Sequence, residues 1–116
     1  MDGTLRALAD PTRRAILWLV HDDEVAAGEI ARHFPGMSRP AVSQHLRVLA
    51  EAGLVTVRPA GNQRLYRWRR EGLSDVTTFV EQMWSDRLAA LKTAAERDEW
   101  PTRERARRRK AREATD

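Results

Sequence analysis

Apolar residues in the first half of the chain recur at helical spacing in short runs, separated by polar, proline and glycine breaks. Leu5 and Leu8, three apart, mark a first helix over residues 4–9. Asp10-Pro11 ends it and opens a second helix, with Asp10 as N-cap and Pro11 in the first turn, where a missing N–H costs nothing. That helix runs to Val20 and turns Ile16, Leu19 and Val20 inward. After the polar break His21-Asp22-Asp23-Glu24, a third helix from Ala26 or Ala27 to Phe34 buries Ile30 and Phe34, and Pro35-Gly36 stops it. Ser38 then caps a fourth helix that keeps Pro40 within its first turn. Two short helices joined by a glycine-containing turn form the signature of a helix-turn-helix.

On the fourth helix, Val42, Leu46 and Leu49 fall within about 60° of one another at 100° per residue and must face the core. Ser43, Gln44 and Arg47, with Pro40, then point outward, and His45 lies on the flank. These are groups that bond base edges and phosphates, and no acid interrupts the face before Glu51. Ala52-Gly53 ends the helix. The period then changes from helix to strand: Leu54-Val55-Thr56-Val57-Arg58 is β-rich, Pro59-Ala60-Gly61-Asn62 forms a turn, and Gln63 to Arg69 returns as a second strand. Tyr66 and Trp68 take the core side of that strand, and Arg67 and Arg69 the other. A hairpin with Arg58 and Arg64 flanking its tip reads as a wing that reaches phosphates or the minor groove. From about Gly72, Leu73, Val76, Val80, Met83, Trp84, Leu88, Leu91 and Ala95 recur at spacings of three and four, so a long amphipathic helix follows until Pro101.

Charge sharpens this picture. The net charge is +4, but residues 38–70 carry seven basic groups against one acid, while residues 1–37 and 71–102 are each net negative. The positive charge begins with the fourth helix, as expected for a polyanion site. Residues 103–116 are again basic and lack an apolar period, and residues 101–116 are expected to be a disordered tail that adds salt-sensitive DNA affinity. There is no cysteine, which excludes disulfides, thiolate metal sites and a cysteine nucleophile and suits a reducing compartment. No apolar run spans a bilayer, and the start lacks a signal-peptide pattern, so a cytoplasmic protein with no membrane contact is expected. No phosphate loop, nucleophile with its base or paired carboxylates point to an enzyme.

Several separated motifs carry a family resemblance. Leu8-Ala9-Asp10-Pro11-Thr12-Arg13-Arg14-Ala15-Ile16-Leu17, the stretch from Ser38 to Leu49, Ala52-Gly53-Leu54-Val55, and Arg58-Pro59-Ala60-Gly61 leading to Arg64 and Tyr66 resemble the arsenic-repressor (ArsR) family of transcription regulators over about residues 2–95. The resemblance implies a winged helix-turn-helix, mainly α with a small β-hairpin (α+β) in the order α-α-α-α-β-β-α, with residues 1–100 as the DNA-binding and dimerisation domain. It implies a homodimer on a pseudopalindromic operator, usually a repressor. Carried onto this chain, Ser43, Gln44 and His45 would approach bases, with Arg39 and Arg47 on phosphate or base. Ser38 completes the recognition-helix set over 38–50. The wing over 58–67 would contribute Arg58, Gly61, Asn62, Gln63, Arg64 and Arg67. The dimer surface would comprise Leu5, Leu8, Val76, Phe79, Val80, Met83, Trp84, Leu88 and Leu91.

The chain departs from the family at its metal motif. Where many members carry cysteines, Val25-Ala26-Ala27-Gly28-Glu29-Ile30 offers no soft ligand, and the last helix has no histidine. The expectation is therefore the metal-independent branch, with no cofactor and an effector left open as an unidentified small molecule. His21 with Asp22, Asp23 and Glu24 reads as a solvated turn. Two alternatives stay open: a protein-interaction module acting through the tryptophan-rich last helix, and a metal-responsive repressor with a non-cysteine site.

Overall fold

A computed structural model describes residues 1–97. Residues Met1–Thr78 form one compact unit, and a second begins at Phe79. The first contains α1 (Asp2–Leu8), α2 (Pro11–Leu19), β1 (Val25–Ala26), α3 (Ala27–Arg32), α4 (Arg39–Glu51), β2 (Val55–Ala60) and β3 (Gln63–Trp68). A 3-10 turn over Arg70–Leu73 leads into α5 (Ser74–Glu96), which continues into the second unit. The tail expected over residues 101–116, with Trp100 and Pro101, lies outside the described residues.

Local chemistry sets the helix starts. Asp10 Oδ1 accepts the backbone N–H of Thr12 at 2.8 Å and of Arg13 at 3.2 Å, satisfying donors the first turn of α2 leaves unpaired. Ala7, Ile16, Val20, Ile30, Val42, Leu46, Leu49, Leu54, Val55 and Tyr66 form the core of this unit. Leu19, Phe34 and Trp68 are half-buried at its margin. On α1, Thr4 and Ala7 face inward, small side chains that allow close approach, whereas Leu5 is turned out.

Three differences from the sequence expectation bear on the site. The third helix stops at Arg32, and Met37 N–H donates to the Phe34 carbonyl at 3.0 Å, closing a turn on Pro35-Gly36. The hairpin gains a third strand, because Val25-Ala26 pairs with Tyr66 and Leu65 to give an antiparallel sheet in the order β1-β3-β2. The expected four-residue turn shrinks to Gly61-Asn62, since Pro59 and Ala60 pair with Arg64 and Gln63. Gly61, at φ 63°, supplies the left-handed conformation that two-residue hairpin turns require.

On the described part of α5, Phe79, Val80, Met83, Trp84 and Leu88 are all exposed, Trp84 at 61 %. Val76 and Leu91 are half-buried. No helix among the described residues is long and apolar enough to cross a membrane.

Candidate nucleic-acid interface

The α4 helix is fixed at both ends. Ser38 Oγ accepts the Ala41 N–H at 3.2 Å, so the Ser38 hydroxyl serves as N-cap. At the other end Gly53 N–H donates to the Ala50 carbonyl and Leu54 N–H to the Leu49 carbonyl, each at 3.0 Å, with Gly53 at φ 75°. This is a Schellman cap, and it turns the chain directly into β2. Between the caps, Val42, Leu46 and Leu49 are buried, while Arg39, Pro40, Ser43, Gln44 and Arg47 are exposed. His45 is half-buried, and its Nδ1 lies 3.3 Å from Arg13 Nη1. It faces α2 rather than the outward row.

The wing meets this helix across an open groove of about 670 Å³. Residues directly opposite in an antiparallel ladder share a face, so Val57, Arg64 and Tyr66 lie on one side of the hairpin. That side looks into the groove. Its basic lining comprises Arg32 from α3, Arg39 and Arg47 from α4, and Arg64 from β3, with Ser43, Asn62 and Gln63 among them and Glu29 as the acid. Among the described residues, no carboxylate lies within ion-pair distance of these four arginines. Arg32 was absent from the sequence-based set. Its signal was its place in the last turn of the first motif helix, the element that crosses the phosphate backbone in this motif.

The opposite face of the hairpin is different. Arg58, Leu65 and Ala26 form one row across the three strands, which brings Glu24 beneath Arg58. Arg58 donates to Glu24 twice, Nε to Oε1 at 3.1 Å and Nη2 to Oε2 at 2.7 Å. This bidentate bond holds the Glu24 carboxyl below the usual range against the opposing effect of desolvation, with the charges of Arg58 and Arg67 adding to it. The same bond raises Arg58. Arg67 shares this face, directly opposite Thr56. Arg58 and Arg67, both expected in the wing set, therefore stand on the side away from the groove, and Arg58 is already engaged.

Partial burial pushes the Asp10 carboxyl up, but the N–H groups of Arg13 and Thr12, with the favourable electrostatics of the neighbouring His45 and Arg13 side chains, outweigh it and hold Asp10 below its ordinary value. The turn after α2 is also ordered: His21 stacks on Trp68 at 5.0 Å, tilts against Trp18 at 5.4 Å and places Nδ1 3.0 Å from Asp22 Oδ1. Among the described residues no three histidine, aspartate or glutamate side chains converge as metal ligands would.

A capped recognition helix, a tight two-residue hairpin and a cationic groove between them define a winged helix-turn-helix DNA-binding protein. Comparison with known proteins agrees. Residues 8–58 match a family model described as a helix-turn-helix domain. A helix-turn-helix-type transcriptional regulator of Mycobacterium tuberculosis, Rv2034, is 47% identical over 87 residues, 75% of this chain and 80% of its own. The transcriptional repressor SdpR of Bacillus subtilis is 36% identical over 69% of this chain and 88% of its own. Among solved structures, an ArsR-like transcriptional regulator from Rhodococcus sp. RHA1 superposes with a TM-score of 0.67 at 33% identity, covering 82% of this chain and 89% of that one. The chain belongs to the ArsR family of winged helix-turn-helix transcriptional regulators.

Proposed function

We propose that the protein is a homodimeric repressor that binds a pseudopalindromic operator, with α4 in the major groove and the β2–β3 wing on the adjacent backbone. The observation that carries this reading is the groove: Arg32, Arg39, Arg47 and Arg64 converge on it without carboxylate partners among the described residues. Such unneutralised charge beside the outward row Pro40, Gln44 and Arg47 suits phosphate contacts that position a base-reading helix. The exposed row Phe79, Val80, Met83, Trp84 and Leu88 on α5 supports dimerisation, since burying it against a second copy removes a contiguous apolar surface from water. Repression, rather than activation, rests on the family resemblance and on the relative named as a repressor. The controlling signal is not a thiolate-bound metal, because the chain has no cysteine.

The test pairs two variants on two duplexes, one the consensus that the wild-type chain selects from a random pool and one of random sequence. Gln44→Ala lowers preference for the consensus by about 1–3 kcal/mol at one base pair, while Arg64→Ala weakens binding to both duplexes alike. Unchanged binding by the double variant, measured by anisotropy, contradicts the reading.

A further inference from the structure

His45 stands on the flank of α4 rather than in its outward row. At 100° per residue it is rotated about 100° from Gln44, toward α2. Its half-buried ring places Nδ1 3.3 Å from Arg13 Nη1. A guanidinium only donates, so this bond requires Nδ1 as the acceptor and the ring proton on Nε2. Arg13 is itself held on several sides. Its Nε donates to the Ala7 carbonyl at 2.7 Å and its Nη2 to the Arg6 carbonyl at 3.1 Å, both at the carbonyl end of α1. Its own N–H is taken by Asp10 at 3.2 Å, and its side chain is only 17% exposed. One guanidinium thus ties α1 and the start of α2 to the recognition helix.

The apolar row Val42, Leu46 and Leu49 holds α4 against the core, but hydrophobic contact is non-directional and tolerates small rotations about the helix axis. A rotation of about 10° moves side-chain tips, roughly 5–6 Å from that axis, by about 1 Å. A hydrogen bond to a base edge has a window of only about 0.5 Å. A directional bond on the flank of α4 is suited to remove that freedom.

We propose that Arg13 and His45 are positioning residues for sequence reading: their hydrogen bond sets the axial rotation of α4, and so the register in which Gln44 meets a base pair. The role rests on the DNA-reading assignment of α4 made above. It gives a residue of α2 a part in specificity without contact to DNA, and it moves His45 from base contact to a tie behind the helix.

The decisive comparison is between His45→Asn and His45→Leu in the full chain. Asparagine places Oδ1 near the position of Nδ1 and restores the acceptor, whereas leucine keeps bulk and removes it. With the selected consensus duplex and a random duplex as probes, His45→Leu and Arg13→Gln lower the ratio of the two affinities roughly tenfold, about the worth of one good base contact. Affinity for the random duplex stays within about twofold, and His45→Asn keeps the wild-type ratio. Because Arg13→Gln also uncaps α1, the Tm of each variant is measured, and His45→Leu carries the inference if Arg13→Gln fails to fold. Long-range ¹⁵N–¹H spectra of the free wild-type chain show the proton of His45 on Nε2. Loss in His45→Asn equal to that in His45→Leu means that the ring touches DNA itself and overturns the proposal, as does a proton on Nδ1. A normal wild-type preference left intact by His45→Leu overturns the positioning role alone. Absence of any sequence preference in the wild-type chain overturns the DNA reading and this role with it.

Discussion

The two faces of the β2–β3 hairpin are both basic, yet their arginines are in different states. On the groove side Arg64 joins Arg32, Arg39 and Arg47 with no carboxylate within ion-pair distance among the described residues. On the other side Arg58 is held by Glu24 through two hydrogen bonds, with Arg67 nearby. A polyanion gains most from charges that have no internal partner, because a paired arginine must first give up its carboxylate. On the proposed reading, the grip of the wing depends on the side of the sheet each arginine occupies rather than on their number.

The largest effect expected on this contrast comes from Arg47→Ala/Arg64→Ala, one cation from each wall of the groove. At about 1.5 kcal/mol for each lost charge-assisted contact, binding to any duplex falls roughly a hundredfold by anisotropy. Loss confined to the consensus duplex would instead assign these arginines to base reading. Gly61→Val should act next, since a branched residue at φ 63° costs about 1–2 kcal/mol. For a domain of this size that is a Tm lower by roughly 4–8 °C per kcal/mol in calorimetry, and an unchanged Tm means that the turn has another conformation.

The smallest effect is on pH dependence. Glu24 is depressed in the folded chain, so the stability it contributes is complete above the ordinary glutamate pKa of about 4.3 and is lost as pH falls through the lower folded value. Glu24→Gln should therefore lower the urea midpoint slightly at pH 7 and not at all once wild-type Glu24 is protonated. A deficit that persists in acid would place the contribution of Glu24 elsewhere than in its charge. Affinity for random duplex should stay unchanged in this variant, because the released Arg58 still faces away from the groove.

Local signals carried much of this structure in advance. Asp10 before Pro11, Ser38 before Pro40, and Gly53 after the apolar row of α4 each announce a helix end through their own chemistry, and each forms the cap expected of it. Tertiary partners were harder to see. Val25-Ala26 is too short to show a strand period and pairs only because β3 lies beside it. The partner of Arg58 is 34 residues away in sequence, and nothing near Arg58 points to Glu24. Arg32 joins the groove only because the turn at Pro35-Gly36 folds α3 back against α4. His45 is the instructive case: its angle already set it on the flank of α4, but nothing near it in sequence points to Arg13, 32 residues away, beside its Nδ1.

The central claim, that the groove-side cations of the wing are its phosphate contacts, is tested most directly by salt dependence. The slope of log affinity against log salt concentration is measured on one random duplex for wild type, Arg64→Ala and Arg58→Ala. Arg64→Ala should flatten the slope by about 0.9, the value of one lost phosphate contact, while Arg58→Ala leaves it at the wild-type value. A flattened slope for Arg58→Ala with an unchanged one for Arg64→Ala would contradict the assignment of the two faces.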